Sequence, residues 1–101
     1  MVVRVLREHT GHGSSRARTV VDGDFVRVLL HDTLTSGERA LAAAGNPDAA
    51  FAMRTALQET MAAKLVAGVE ALTGRTVLVS FSDHAIDPDI ALEAFLLAPP
   101  A

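Results

Sequence analysis

The chain has 101 residues, half of them apolar and only 21% charged, which fits a single domain with one hydrophobic core and excludes disorder over most of its length. Twelve acidic residues against nine basic ones give a net charge of −3, and four Phe with no Tyr or Trp leave few stacking surfaces, so nucleic-acid binding is not expected. The absence of Cys removes disulfides and thiolate chemistry.

Met1 to Leu6 is too short an apolar run for a signal peptide, and no run approaches the roughly 18 residues of a membrane helix. A cytoplasmic domain over residues 1–101, with no membrane span, is therefore expected. Val2 to Glu8 reads as a short helix, apolar at Val2, Val3, Val5 and Leu6. Gly11 and Gly13 suit its end, because glycine accepts the left-handed conformation found there. Arg16–Val21 and Phe25–His31 are strand-like, and Asp22-Gly23 between them signals a type I′ hairpin turn. With a two-residue turn, Ala17, Thr19, Val21, Val26, Val28 and Leu30 share one face, and Arg16, Arg18 and Arg27 the other. Asp24 also permits a three-residue loop and a different pairing.

Thr35-Ser36-Gly37-Glu38 has the spacing of a capping box and starts a short Ala-rich helix that stops at Gly45. Asn46-Pro47 starts a long helix that runs to Leu72 and ends at Thr73-Gly74. At about 100° per residue, Ala50, Leu57, Met61, Leu65, Gly68 and Leu72 fall on one stripe. Arg54 falls inside that stripe and Gln58 at its edge. Thr76–Phe81 and Ile90–Leu97 are the third and fourth strands. The polar segment Ser82–Asp89 between them is expected to form a long turn carrying Asp83, His84, Asp87 and Asp89, with the Asp side chains bonding the local backbone. The order α-β-β-α-α-β-β makes the class α+β: a four-stranded, mostly antiparallel sheet with the long helix packed on one face.

Thr10 to Thr19, T-G-H-G-S-S-R-A-R-T, has the small residues of a phosphate-cradling loop but lacks the Lys of that motif, and a strand follows it instead of a helix. It reads as a helix stop leading into a strand. Arg16, Arg18 and Arg27 then form a basic stripe on the hairpin's open face, which either stands in solvent or takes an anion or acidic partner. An Arg18–Arg27 cross-strand pair repels unless something sits between. Arg54 is the most informative residue. A charge on a core-facing stripe must snorkel, pair with a buried carboxylate such as Asp32 or Asp83, or hold a ligand anion with Gln58 beside it.

His9, His12, His31 and His84 are scattered, so neither a metal nor a cofactor is expected. Ser82, Asp83 and His84 alternate between the faces of a strand and do not converge as a triad. Asp83, Asp87 and Asp89 lack the Gly and terminal Glu of an EF-hand loop. Nothing assembles a nucleophile, base and orienter, so a non-enzymatic protein is expected.

Five segments occur in order: REHTGHGSSRART (Arg7–Thr19), DTLTSGE (Asp32–Glu38), MRTALQETM (Met53–Met61), VEALTGR (Val69–Arg75) and SDHAIDPDIALEAFLL (Ser82–Leu97). Together they resemble the MpsC-like family, formerly a domain of unknown function, over nearly the whole chain. The resemblance implies association with a bacterial sodium-translocating, membrane-potential-generating system linked to inorganic-carbon uptake. It therefore implies an accessory role beside a membrane transport complex, and it carries over no catalytic residue. The family's first helix is usually longer, and its loop usually carries Pro and Lys or Arg where this chain has Ser14, Ser15 and Arg16.

The expected function is thus an accessory or regulatory protein, acting as a homodimer. The last two strands are apolar on both faces: Val77, Val79 and Phe81 against Leu78, and Ile90, Leu92 and Leu96 against Ala91 and Phe95. A two-layer fold covers only one sheet face, so the surplus calls for a partner. The alternative is a small-anion sensor for bicarbonate or a phosphate metabolite, using Arg16, Arg18 and Arg54.

Overall fold

The computed structural model describes residues 1–100. Helix α1 (Val2–Thr10) closes at Gly11, whose φ of 73° returns its N–H to the Arg7 carbonyl at 2.8 Å. Strands β1 (Arg16–Asp22) and β2 (Phe25–His31) pair antiparallel around Gly23-Asp24. The turn lies one residue later than the sequence suggests, because Asp22 pairs with Phe25. Gly23 at the first central position carries the only positive φ of the turn (59°), the pattern of type II′ and not type I′. Both choices leave two central residues, so the expected faces hold: Ala17, Thr19 and Val21 sit beside Leu30, Val28 and Val26.

The capping box forms at the start of α2 (Ser36–Ala43). Thr35 Oγ1 accepts from the Glu38 N–H at 3.2 Å, and Glu38 Oε1 accepts from the Thr35 N–H at 2.9 Å. Helix α3 (Pro47–Thr73) begins on Pro47 and ends at Gly74, with φ 67°. Its buried stripe is Ala50, Arg54, Gln58, Met61, Leu65 and Val69. Ala50, Met61 and Leu65 are buried as expected, but the C-terminal end of the expected stripe drifts out of phase: Leu72 is 74% exposed, and Leu57 is only half-buried. Arg54 lies inside the buried stripe, as its direction on the helix predicts, and a small rotation of the helix buries Gln58 with it in place of Leu57 and Leu72. Gly68 is the close approach between helices, since a Cβ there would lie 2.6 Å from the Met1 sulfur.

Strands β3 (Val77–Ala85) and β4 (Ile90–Leu97) complete a sheet of order β1-β2-β4-β3 in which every pair is antiparallel. Strand β3 is longer than expected. Ser82, Asp83, His84 and Ala85 pair with Glu93, Leu92, Ala91 and Ile90, so Asp83 and His84 belong to a strand, not to a turn. The polar composition that suggested a turn is instead absorbed by polar partners on the inner face, given below. Only the segment between β3 and β4 turns, and it carries Asp87, Asp89 and the cis Asp87–Pro88 peptide bond.

Helices α1 and α3 cover one face of the sheet. The core joins Val2, Val5 and Leu6 of α1 and Met61, Leu65 and Val69 of α3 to Val26, Val28, Leu30, Ala91, Phe95 and Leu97 of the strands. Strand β1 stands clear of the helices. Ala17, Thr19 and Val21 on its inner face are exposed and border an apolar groove of about 380 Å³ with Met1, Val3 and Leu72.

Candidate functional site

Arg54 and Gln58 stand one turn apart on the inner face of α3, and each gathers a polar cluster around it. Arg54 is 1% exposed. Its Nε donates to Glu38 Oε2 at 3.0 Å, and its Nη2 donates to Glu38 Oε1 at 2.6 Å and to the Thr33 carbonyl at 2.7 Å. Glu38 is fully buried, so the capping-box carboxylate of α2 is also the counter-ion of α3. This replaces both carboxylates expected from the sequence. The Asp32 carboxylate accepts from Ser15 Oγ, and Asp83 occupies the opposite face of β3 from its neighbours Ser82 and His84.

Gln58 bridges the next cluster. Its Nε2 donates to the Asp83 carbonyl at 3.0 Å and to Glu93 Oε1 at 3.2 Å, and Ser82 Oγ donates to Glu93 Oε2. The Gln58 Oε1 accepts from His84 Nδ1 at 2.8 Å. An amide oxygen only accepts, so Nδ1 carries the proton, and Nε2 is left buried with no partner among the described residues. The His84 ring lies against Phe51, centroids 4.0 Å apart. Burial pushes the Glu93 carboxyl up to about 7, against the hydrogen bonds from Ser82 and Gln58 and the nearby Arg54 charge. Burial also lowers the His84 pKa. The void between Arg54, Gln58, Glu93 and their apolar neighbours measures about 10 Å³, about one water and no larger ligand.

Asp89 ties this region together from the turn. Its Oδ1 accepts from the Thr33 N–H at 3.1 Å, and its Oδ2 from the Leu34 N–H at 3.2 Å. Its carbonyl accepts from Asp32 N–H at 3.0 Å, where Asp32 holds a left-handed φ of 56°. Asp89→Ala leaves two N–H groups of buried residues without acceptors. It is expected to cost about 1–3 kcal/mol in urea unfolding, while Asp87→Ala, exposed on the same turn, changes little.

Ser82 and His84 do share the inner face of β3, but Ser82 bonds to Glu93 and His84 to Gln58. Among the described residues no three His, Asp or Glu side chains gather to hold a metal ion.

Arg16, Arg18 and Arg27 lie on the outer face, as the register requires. Arg18 sits opposite Leu29 and Arg27 opposite Val20, so the two arginines are diagonal neighbours and not a direct cross-strand pair. Arg16 Nη2 approaches His31 Nε2 at 3.3 Å. None of the three meets a carboxylate among the described residues, where the ion pairs are Arg54–Glu38, Lys64–Glu8 and Arg75–Asp24. Rows across this face run Arg18–Leu29–Leu92–Asp83, Val20–Arg27–Ala94–Phe81 and Asp22–Phe25–Leu96–Val79. Phe25 and Phe81 meet edge to face at 6.5 Å. Phe81 is 51% exposed and Val79 43%.

Sequence reasoning gave Glu38 its capping role but not its pairing with Arg54, and it missed Glu93 and Thr33. Glu93 alone left a signal: it shares strand parity with Ala91 and Phe95, which puts a carboxylate on the core side of β4.

A family model described as the Na+-translocating membrane potential-generating system (MpsC) matches residues 1–99. No curated protein and no solved structure matches the chain.

Proposed function

The chain belongs to the MpsC family, and from that premise we propose that it is a non-enzymatic accessory or regulatory protein that works as a homodimer beside a membrane Na+-translocating system. No helix among the described residues is long and apolar enough to cross a membrane, which fits a peripheral part in such a system. The polar side chains that resemble catalytic groups are committed to one another: Arg54 to Glu38, Ser82 to Glu93 and His84 to Gln58. That also argues against the anion-sensor reading through Arg54.

The observation that carries the dimer is the outer sheet face, where Phe81, Val79 and Leu96 are exposed together and no helix covers them. The partner is a second copy, because the face is complementary to itself. A two-fold axis parallel to the strands sets β1 of one copy against β3 of the other. Arg18 then meets Asp83 of the second copy, which lies at the far end of the same row, and Val20 meets Phe81.

Light scattering at micromolar concentration is expected to give the mass of a dimer, and Phe81→Asp that of a monomer. Arg18→Asp and Asp83→Arg each weaken the dimer, and together they restore it. A monomeric wild type overturns the reading. A dimer indifferent to all three substitutions places the interface elsewhere.

A further inference from the structure

The loop after α1 comes together with two helices to make a cationic depression that the dimer reading does not use. Its volume is about 300 Å³, at the lower end of the range for small-molecule sites, and it is lined by Arg7, His12, Gly13, Ser14, Asp32 and Arg39 among others. Arg7 comes from α1 and Arg39 from α2. Neither guanidinium meets a carboxylate among the described residues.

The two cations are held differently. Arg39 is fixed by the chain, since its Nε and Nη2 both donate to the Leu34 carbonyl, at 3.2 and 3.1 Å. The Arg7 side chain makes no hydrogen bond to the described residues, and its guanidinium lies over Gly13. A Cβ at Gly13 would fall 2.7 Å from Arg7 Nη2, so the glycine makes room for the charge above the loop backbone. The N–H groups of Gly13 and Ser14 have no partner among the described residues, although both residues are half-buried.

His12 Nε2 lies 2.9 Å from the Asp32 carbonyl and so carries a proton. The same Nε2 is 3.5 Å from Arg39 Nη2. The one acid in the depression, Asp32, accepts a hydrogen bond from Ser15. Two guanidinium charges against this single carboxylate leave the depression cationic, on a chain whose net charge is −3.

We propose that Arg7, Arg39, His12 and the Gly13-Ser14 backbone form a binding site for a small phosphate, free or as a monoester. A phosphate-loop motif supplies its own Lys and a following helix. Here the cations arrive from α1 and α2, so the loop takes over only the backbone part of that task. Forked guanidinium donors suit a tetrahedral oxyanion better than a point charge does.

The test is a titration of the ¹⁵N-labelled full chain at low salt with inorganic phosphate and, separately, methyl phosphate. Saturable shifts confined to Gly13, Ser14 and their neighbours are expected, with Kd on the order of 1 mM. Arg7→Ala, which leaves the fold's hydrogen bonds untouched, should weaken binding about tenfold, the loss expected of one charge-assisted hydrogen bond. Arg7→Lys should recover part of it, and Arg27→Ala on the outer face should bind as the wild type. Whichever anion binds more tightly tells whether the natural ligand is free or esterified. Shifts absent with both anions, or Arg7→Ala equal to wild type, overturn the site whether or not the protein dimerises.

Discussion

Arg54→Ala is expected to cost about 3–5 kcal/mol of folding stability, the range for breaking a buried ion pair by removing one partner. Arg54 is 1% exposed, and its removal leaves the fully buried Glu38 carboxylate without its counter-charge and the Thr33 carbonyl without the guanidinium donor. Small domains hold about 5–15 kcal/mol in total, so the substitution removes a large share of it. Arg54→Lys should lose less than Arg54→Ala but more than a surface change, because one ammonium does not reproduce a fork directed at two carboxylate oxygens and a carbonyl.

Glu38→Ala should be worse than Arg54→Ala, since it also dismantles the α2 capping box, which adds about 1 kcal/mol. The double substitution Arg54→Met with Glu38→Gln removes both charges and should recover much of the loss, leaving the cap in place. Urea unfolding followed by circular dichroism measures all of these. A loss below about 1 kcal/mol for Arg54→Ala would mean that the pair behaves as a solvated surface bridge.

The second large effect is a dependence on pH set by Glu93. Its carboxyl is raised from 4.5 to about 7 by burial. Between those values the folded chain holds a proton that the unfolded chain has released. The advantage of the folded state is fully present below pH 4.5 and is lost as pH rises through 7. The shift corresponds to an upper bound of roughly 3 kcal/mol, at about 1.4 kcal/mol per pH unit.

His84 works in the opposite direction. Its pKa is lowered from 6.5, so its contribution is present above 6.5 and is lost as pH falls through the folded value. The two dependences oppose each other in mildly acidic solution, and above pH 6.5 Glu93 acts alone. Wild-type Tm is therefore expected to fall between about pH 6.5 and 8. Glu93→Gln keeps an acceptor for Gln58 and gains a donor toward Ser82, so it should flatten that fall and exceed wild type at pH 8. Parallel Tm curves for the two proteins over this range would remove Glu93 as the titrating group.

The elements of this fold are legible because their signals are local. Left-handed glycines close α1 and α3 at Gly11 and Gly74, Thr35 and Glu38 cap each other, and Pro47 opens α3. Alternation assigns the two faces of the hairpin whichever two-residue turn is drawn, since both put Arg16, Arg18 and Arg27 outside. Each of these signals depends on backbone sterics or on side chains within about four residues.

The side-chain partnerships were not legible in the same way. Arg54 announced a buried charge from its place on the helix, yet its partner is Glu38, because the turn at Gly45 folds α2 back against α3. Ser82 and His84 looked like turn residues until Gln58 and Glu93, contributed by α3 and β4, gave them hydrogen bonds inside a strand. Arg7, Arg39 and the loop at Gly13 come from three separate segments and meet only in the folded chain. The sequence by itself determined the order of helices and strands, the caps that bound the helices, which faces of the hairpin are polar, and that Arg54 is a charge on a core-facing stripe. Only the tertiary structure decided which carboxylate answers Arg54 and where cations gather, because those contacts depend on strand register and helix rotation. Both are set by packing the whole core at once.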